Sequence, residues 1–158
     1  MKDIEEHLKA YAQRRTPKDE ATGLPKRYVA GLTPAEKKEQ VKEIKRVQKV
    51  YEETGQVVER KKVGGKSRRS PFVIRFEKRY GFPVTDIEKV KQEFPNTDID
   101  TILSKGRGAF ASSGSRPNQT PDSWAYARLA SVLTGGKAMA VDRKHIGASD
   151  LRKILSNK

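Results

Sequence analysis

Histidines and carboxylates are the side chains of this sequence that could most readily support catalysis or bind a metal. The only two histidines, His7 and His145, are far apart in the chain, and there is no cysteine. Asp98 and Asp100 stand two positions apart at a predicted helix start, so their side chains diverge instead of sharing a proton. Asp142 and His145 have helical spacing, but one carboxylate and one imidazole are too few ligands for a metal site. We therefore expect no enzymatic activity, no bound metal and no cofactor.

Basic side chains suggest a different chemistry, the binding of anions. Residues 60–69 carry six positive charges and no acid, around a flexible Gly64-Gly65 pair. Such a run can neutralise the phosphates of a nucleic acid, or it can be a solvated linker, and the sequence leaves both interpretations open. The cations of this run that we assign to an anion- or nucleic-acid-binding site are Arg60, Lys61, Lys62, Lys66, Arg68 and Arg69.

A glycine-rich segment that starts at Lys105 is the second candidate for anion binding. Its glycines at positions 106, 108 and 114 permit backbone conformations that other residues avoid, so we expect a loop. Backbone N–H groups and cations on such a loop would suit a phosphate or a carboxylate. The alternative is a purely structural turn. The cations assigned to this site are Lys105, Arg107 and Arg116.

The single tryptophan lies in the helix that follows this predicted loop. Thr120-Pro121-Asp122 supplies a capping side chain, a proline suited to the first turn and an acid beside the positive helix end. The helix should end at Gly135-Gly136. We interpret Trp124 as the main core aromatic, and Arg128, one turn later, either covers its indole or reaches outward to an anion. Both residues are candidate anchors for the core or for an interaction.

Similar start signals place the other helices. Thr33-Pro34-Ala35-Glu36 forms a capping box and predicts a charged helix from about Pro34 to Glu53, which packs on a partner or is a solvated arm. Further helices are predicted over residues 4–12 and from Ser70, Asp86, Asp98 and Ser149, with a short apolar connection at 138–141. Only residues 56–58 hint at a strand. The predicted class is all-α: a small helical domain with a glycine-rich loop, preceded by a helical and extended basic N-terminal arm.

Charge and composition divide the chain into four parts. We assign residues 1–32 to an N-terminal helix and extended arm, 33–59 to a charged amphipathic helix, 60–70 to a basic linker and 71–158 to a compact helical domain. Hydrophobic residues make up 34% of the chain, which implies a small core.

The overall charge indicates the class of partner. The chain has 34 basic and 20 acidic residues, a formal net charge of +14, which favours nucleic acid, an acidic protein surface or anionic lipid. No apolar run approaches the roughly 20 residues of a membrane span, and the N-terminus has no signal peptide. We therefore expect a soluble protein that is made in the cytoplasm.

One long run of residues resembles a known type of domain. The run GRGAFASSGSRPNQTPDSWAYARLASVLTGGKAMAVD, with Lys26-Arg27-Tyr28 and Val73–Tyr80 upstream, resembles a small uncharacterised domain family of giant dsDNA viruses and large tailed phages. In that family a Lys-Gly-x-Gly-Ala-aromatic segment precedes Ser-Gly-Ser-Arg-Pro-x-Gln, then Ser-Trp and Ala-Arg. The resemblance covers residues 26–146. It implies a viral or phage origin and a place in the particle, but it carries no established activity.

Two functions follow as expectations. The first is a minor capsid or other virion-associated structural protein, made in the host cytoplasm, whose helical domain and basic arms bridge larger capsid components. The second is a free nucleic-acid-binding protein that contacts the phosphates of DNA or RNA through residues 60–69 and 105–116.

Overall fold

The computed structural model of the protein describes residues 17–64 and 69–156. Within these residues there are seven α-helices and no strand, which confirms the predicted all-α class, and residues 56–58 are irregular. The helix predicted over residues 4–12 lies outside the described residues. The α-helices are α1 (Pro34–Thr54), α2 (Pro71–Tyr80), α3 (Ile87–Glu93), α4 (Ile99–Ser113), α5 (Pro121–Leu133), α6 (Lys137–Val141) and α7 (Ala148–Ser156), and the short 3-10 helices are Lys26–Tyr28 and Arg143–His145.

The helices begin where the capping residues of the sequence place them. Thr33 and Glu36 exchange hydrogen bonds in the capping box of α1, which ends at the left-handed Gly55. The side chains of Ser70 and Asp86 accept backbone N–H groups at the starts of α2 and α3. At α5, the Thr120 hydroxyl accepts the N–H of residue 123 at 3.0 Å. These local signals located the starts of α1, α2, α3 and α5. In contrast, α6 forms where only an apolar connection was predicted, and α7 begins at Ala148, one residue before the predicted start.

The chain forms two compact units. One, here called the arm unit, comprises residues 17–64 and 105–124. The other, called the aromatic unit, comprises residues 69–104 and 125–156. This grouping differs from the predicted boundaries, which placed all of residues 71–158 in one compact domain.

The core of the arm unit lies between α1 and the second half of α4. Val47 of α1 packs with Phe110 and Ala111 of α4, all of them buried. The buried side-chain amide of Gln40 donates to the carbonyl of Tyr28 at 3.0 Å. The apolar stripe of α1 is thus covered by the protein's own chain, so the expectation of a solvated arm is wrong.

The predicted glycine-rich loop is mostly helical. Helix α4 continues through Gly106 and Gly108 to Ser113, so the loop is shorter than expected. Gly108 serves helix packing, because a β-carbon there would lie 3.2 Å from the Tyr51 hydroxyl of α1. Gly114 ends the helix at φ 89, and a β-carbon there would stand 3.1 Å from Ile44. The non-helical loop therefore begins only at residue 114.

Residues 17–32, predicted as a linker or extended arm, pack against the rest of the arm unit. Tyr28, Val29 and Leu32 are buried, and the latter two form a small apolar cluster with Val63. The carboxylate of Asp19 accepts from the Lys37 ammonium of α1 at 2.9 Å. The segment is irregular in conformation but fixed by these contacts.

The aromatic unit is built around a group of rings. The ring centroid of Phe76 lies 4.7 Å from that of Tyr80 and 5.4 Å from that of Phe82, while Tyr80 meets Phe94 edge-on at 5.2 Å. The Tyr80 hydroxyl donates to the carbonyl of Leu133 at 2.9 Å, and burial raises the pKa of this tyrosine. On α5, four apolar side chains that share one face of the helix are buried in the same unit: Ala125, Leu129, Val132 and Leu133.

Two further properties concern the described residues only. None of the helices in residues 17–64 and 69–156 is long and apolar enough to cross a bilayer. In the same residues, no three His, Cys, Asp or Glu side chains come together as potential metal ligands.

Candidate functional site

The first part of the predicted basic linker runs along α1. The guanidinium of Arg46 on α1 donates to the carbonyl of Glu59 at 2.8 Å, and further on the backbone of Gly64 lies against the Glu36 carboxylate. The order of these contacts shows that residues 59–64 run antiparallel to α1. Asn118 holds the far end, because its side-chain oxygen accepts the N–H of Val63 at 3.1 Å. This segment is therefore anchored at both ends.

Arg60, predicted to bind an external anion, is instead directed into the arm unit. Its guanidinium lies over the Phe110 ring, 4.6 Å from the centroid, and donates to the Ser115 hydroxyl and to the Arg116 carbonyl, the latter at 3.1 Å. Burial lowers its pKa to about 10, opposed in part by Tyr28 and Glu43, so the group stays charged at neutral pH. Arg60 thus clamps the basic segment to the turn after α4.

The next two cations of the run behave differently. Lys61 and Lys62 are exposed and follow directly after the Arg60 clamp. Because residues 60 and 63 are held, the backbone that carries these two ammonium groups is fixed while the charges face solvent. They remain candidates for binding an anionic partner. Lys66 and Arg68, assigned to the same site, lie outside the described residues.

The last cation of the run, Arg69, belongs to the aromatic unit. Its guanidinium donates to the Glu77 carboxylate on α2 at 2.9 Å. Both side chains are well exposed, so this ion pair contributes little to stability. The pair nevertheless neutralises a charge that we had assigned to external anions.

The cations of the glycine-rich segment are also divided. Lys105 is half-buried on α4, while Arg107, on the same helix, donates to the Asp122 carboxylate at 2.8 Å. Arg116 is exposed in the turn, where its backbone carbonyl accepts from Arg60. The expected loop of converging N–H groups is replaced by a helix end and a turn, because α4 satisfies those N–H groups internally as far as residue 114.

Trp124 does not occupy the centre of a core. It is partly buried beside Val47 and Phe110 in the arm unit, and its indole meets the Tyr28 ring edge-on at 6.2 Å. Phe110 of the same unit is fully buried. Phe110 therefore takes the central position that the sequence analysis assigned to Trp124, and Trp124 packs against this cluster while partly exposed.

Arg128 neither covers an indole nor reaches for an external anion. Its guanidinium forms a two-pronged ion pair with Asp142, with N–O distances of 2.7 and 2.8 Å. The Asp142 side chain is fully buried. The pair joins α5 to the end of α6 inside the aromatic unit, so its role is to hold that unit together.

The clamp partners were not recognised from the sequence. Ser115, Asn118 and Asp142 bind arginines or backbone groups far away in the chain. Serine and asparagine are common in turns, and Asn118 does adopt a positive φ of 61. That turn composition was the only available signal, and it does not identify a partner 55 residues away.

The comparison with known proteins gives one family. Residues 25–152 match a family of unknown function, DUF5824, and this region includes both the segment at 59–64 and the glycine-rich segment. No curated protein and no solved structure matches the chain. Because the family match extends over much more than half of the sequence, the chain belongs to the family of unknown function DUF5824.

Proposed function

We propose that the protein is a virion-associated structural protein of a virus or phage, made in the host cytoplasm, whose helical units and basic segments bridge larger capsid components. The observation that carries this proposal is the fixed basic segment 59–64. Arg60 and Val63 hold its backbone in place, while Lys61 and Lys62 face solvent. A rigid, irregular segment with free charges fits a protein that joins acidic surfaces of its neighbours.

The residues that carry the resemblance to viral and phage domains support the same proposal. The glycines and Ser115 of that resemblance form helix contacts and turn contacts, so this part of the sequence encodes a stable fold. The half-buried Arg60 and the buried Asp142 each have partners inside the chain. These roles favour a non-catalytic binding protein.

The second candidate, a free nucleic-acid-binding protein that uses residues 60–69 and 105–116, has less support. Phosphate binding requires cations that are available to the ligand. Arg60 is directed into the arm unit, and Arg69 and Arg107 are paired with Glu77 and Asp122. The two segments therefore offer fewer charges to phosphates than the sequence suggested.

Quantitative mass spectrometry of purified particles from an infected host tests the proposal. We expect a constant ratio of this protein to the major shell protein across a density gradient. The double variant Lys61→Gln/Lys62→Gln should lower that ratio, while the control Lys78→Gln/Lys144→Gln, which removes the same charge from exposed sites in the aromatic unit, should not. Recovery of the wild-type protein only outside particles would overturn the proposal.

A further inference from the structure

The outer face of α1 carries a row of lysines that the sequence analysis did not single out. Lys38, Lys42, Lys45 and Lys49 are all exposed. With 3.6 residues per turn, their spacing of four, three and four positions keeps them within about 60° of the helix circumference. This lysine row lies opposite the buried side of α1, where Val47 packs.

The four charges of the lysine row have no partner in the part of the chain that the structure describes. Within residues 17–64 and 69–156, none of them takes part in an ion pair or a side-chain hydrogen bond. Their acidic neighbours are occupied elsewhere or lie to the side: Glu36 is in the capping box and Glu43 is buried against Arg46. Glu39 flanks the row, and Glu52 and Glu53 follow beyond its C-terminal end.

We propose that the lysine row binds the phosphate backbone of a nucleic-acid duplex, without regard to base sequence. At a rise of about 1.5 Å per residue the row is about 16 Å long, and phosphates of one strand repeat about every 3.4 Å along a B-form duplex. Four ammonium groups over that length can each meet a different phosphate. This surface differs from the two segments considered above, and the inference holds whether or not the protein belongs to a particle.

The choice of lysine supports a polynucleotide backbone as the partner. Lysine is a flexible point charge that suits regularly spaced phosphates, whereas recognition of particular carboxylates or base edges favours the planar fork of arginine. The arginines Arg46, Arg60 and Arg107 of the same unit all donate to groups of their own chain. The exposed cations on the outer face of α1 are therefore lysines, which suit binding to phosphates and not recognition of a base sequence.

The segment 59–64 runs along a flank of α1, next to the lysine row. Because it runs antiparallel to α1 between Arg46 and Glu36, the exposed Lys61 and Lys62 lie alongside the first half of that helix. These two ammonium groups add charge beside the row without belonging to it. Their removal is therefore expected to weaken duplex binding less than removal of the row.

The test measures binding of the full-length protein to two 20-base-pair duplexes of unrelated sequence over a range of salt concentrations. The wild-type protein should bind both equally. Replacing the whole lysine row with Gln should weaken binding more than about tenfold at 0.1 M salt and reduce the slope of log K against log salt by about 3–4 units, since each phosphate contact contributes about 0.9. Replacing the row with Arg, which keeps the charge, should preserve the slope.

A matched control removes four charges from exposed or half-exposed positions in the aromatic unit. It carries Gln at Lys78, Lys137, Lys144 and Arg152. Its slope should change by less than about one unit. An equal loss in both variants would show that only the net charge attracts DNA, and the inference would be wrong.

Two other outcomes would also overturn the inference. One is a wild-type protein that does not bind duplexes at low salt. The other is binding of polyglutamate as tightly as DNA, which would point to an acidic protein partner. The variants should stay folded, because Gln and Lys have similar helix propensities and the four side chains are exposed. Far-UV circular dichroism and thermal unfolding check this.

Discussion

Removal of Arg128 is expected to destabilise the protein strongly, because it leaves a buried carboxylate without a partner. The side chain of Asp142 is 0% exposed, and both of its oxygens accept from the guanidinium. Breaking such a pair from one side costs about 3–5 kcal/mol. For a chain of this size, Arg128→Ala should lower the unfolding midpoint by roughly 6–20 °C.

Removal of the carboxylate instead, by Asp142→Leu, should cost less. The Arg128 side chain is 19% exposed, so without Asp142 its charge can turn towards water. The double variant Arg128→Met/Asp142→Leu should recover most of the stability lost in Arg128→Ala, since it leaves no buried charge unpaired. Urea unfolding of the wild type and the three variants measures these differences directly.

The same series can refute the reasoning. If Arg128→Ala costs less than about 1 kcal/mol, the pair behaves as a surface ion pair and does not hold α5 to α6. If the double variant is as unstable as the single variants added together, the two side chains do not depend on each other.

Three further predictions concern packing, backbone and pH. Phe110→Ala should cost about 3–5 kcal/mol in urea unfolding and Trp124→Ala roughly half as much, with Trp124 fluorescence accessible to iodide. Gly114→Ala should cost about 1–2 kcal/mol, because its φ is left-handed. Hydrogen bonds from Thr101 lower the pKa of Asp98, and the bond from its hydroxyl has a larger effect than the bond from its N–H. The stability that these bonds give is therefore present above the ordinary carboxyl pKa and is lost as the pH falls through the pKa of Asp98 in the folded protein. Thr101→Val should raise the Asp98 pKa in an NMR titration.

The helix starts were predictable because their signals are local. A Thr, Ser or Asp followed by a proline or an apolar run satisfies the free N–H groups of a helix without help from distant residues. The capping box at Thr33 and the caps at Ser70, Asp86 and Thr120 therefore gave the right positions. The all-α class followed from them.

The extent of α4 was not predictable from local preference. Glycines inside a helix cost about 1 kcal/mol each, so Gly106 and Gly108 suggested a loop. Contacts with α1 reverse that preference: Gly108 makes room for Tyr51, and Phe110 and Ala111 are buried two and three residues later. Such contacts join residues that are far apart in the chain.

The roles of the basic residues could not be predicted either, because they also depend on contacts between residues that are far apart in the chain. Composition shows that Arg60 and Lys61 are both charged, but not that the first lies over Phe110 and the second faces solvent. In the same way, the partner of Arg128 is 14 residues away at the end of another helix. Composition alone therefore does not separate the arginines that hold the fold from the lysines that face solvent.

We propose that the basic segment has two functions: Arg60 supports the fold, and Lys61 and Lys62 serve a partner. The most direct test of this division compares the thermal unfolding of Arg60→Met with that of Lys61→Gln/Lys62→Gln. Loss of the Arg60 contacts should cost about 1.5–3 kcal/mol and lower the unfolding midpoint by roughly 3–12 °C, while the double lysine variant should stay within about 2 °C of the wild type. An unchanged midpoint for Arg60→Met, or a comparable fall in both variants, would contradict the claim.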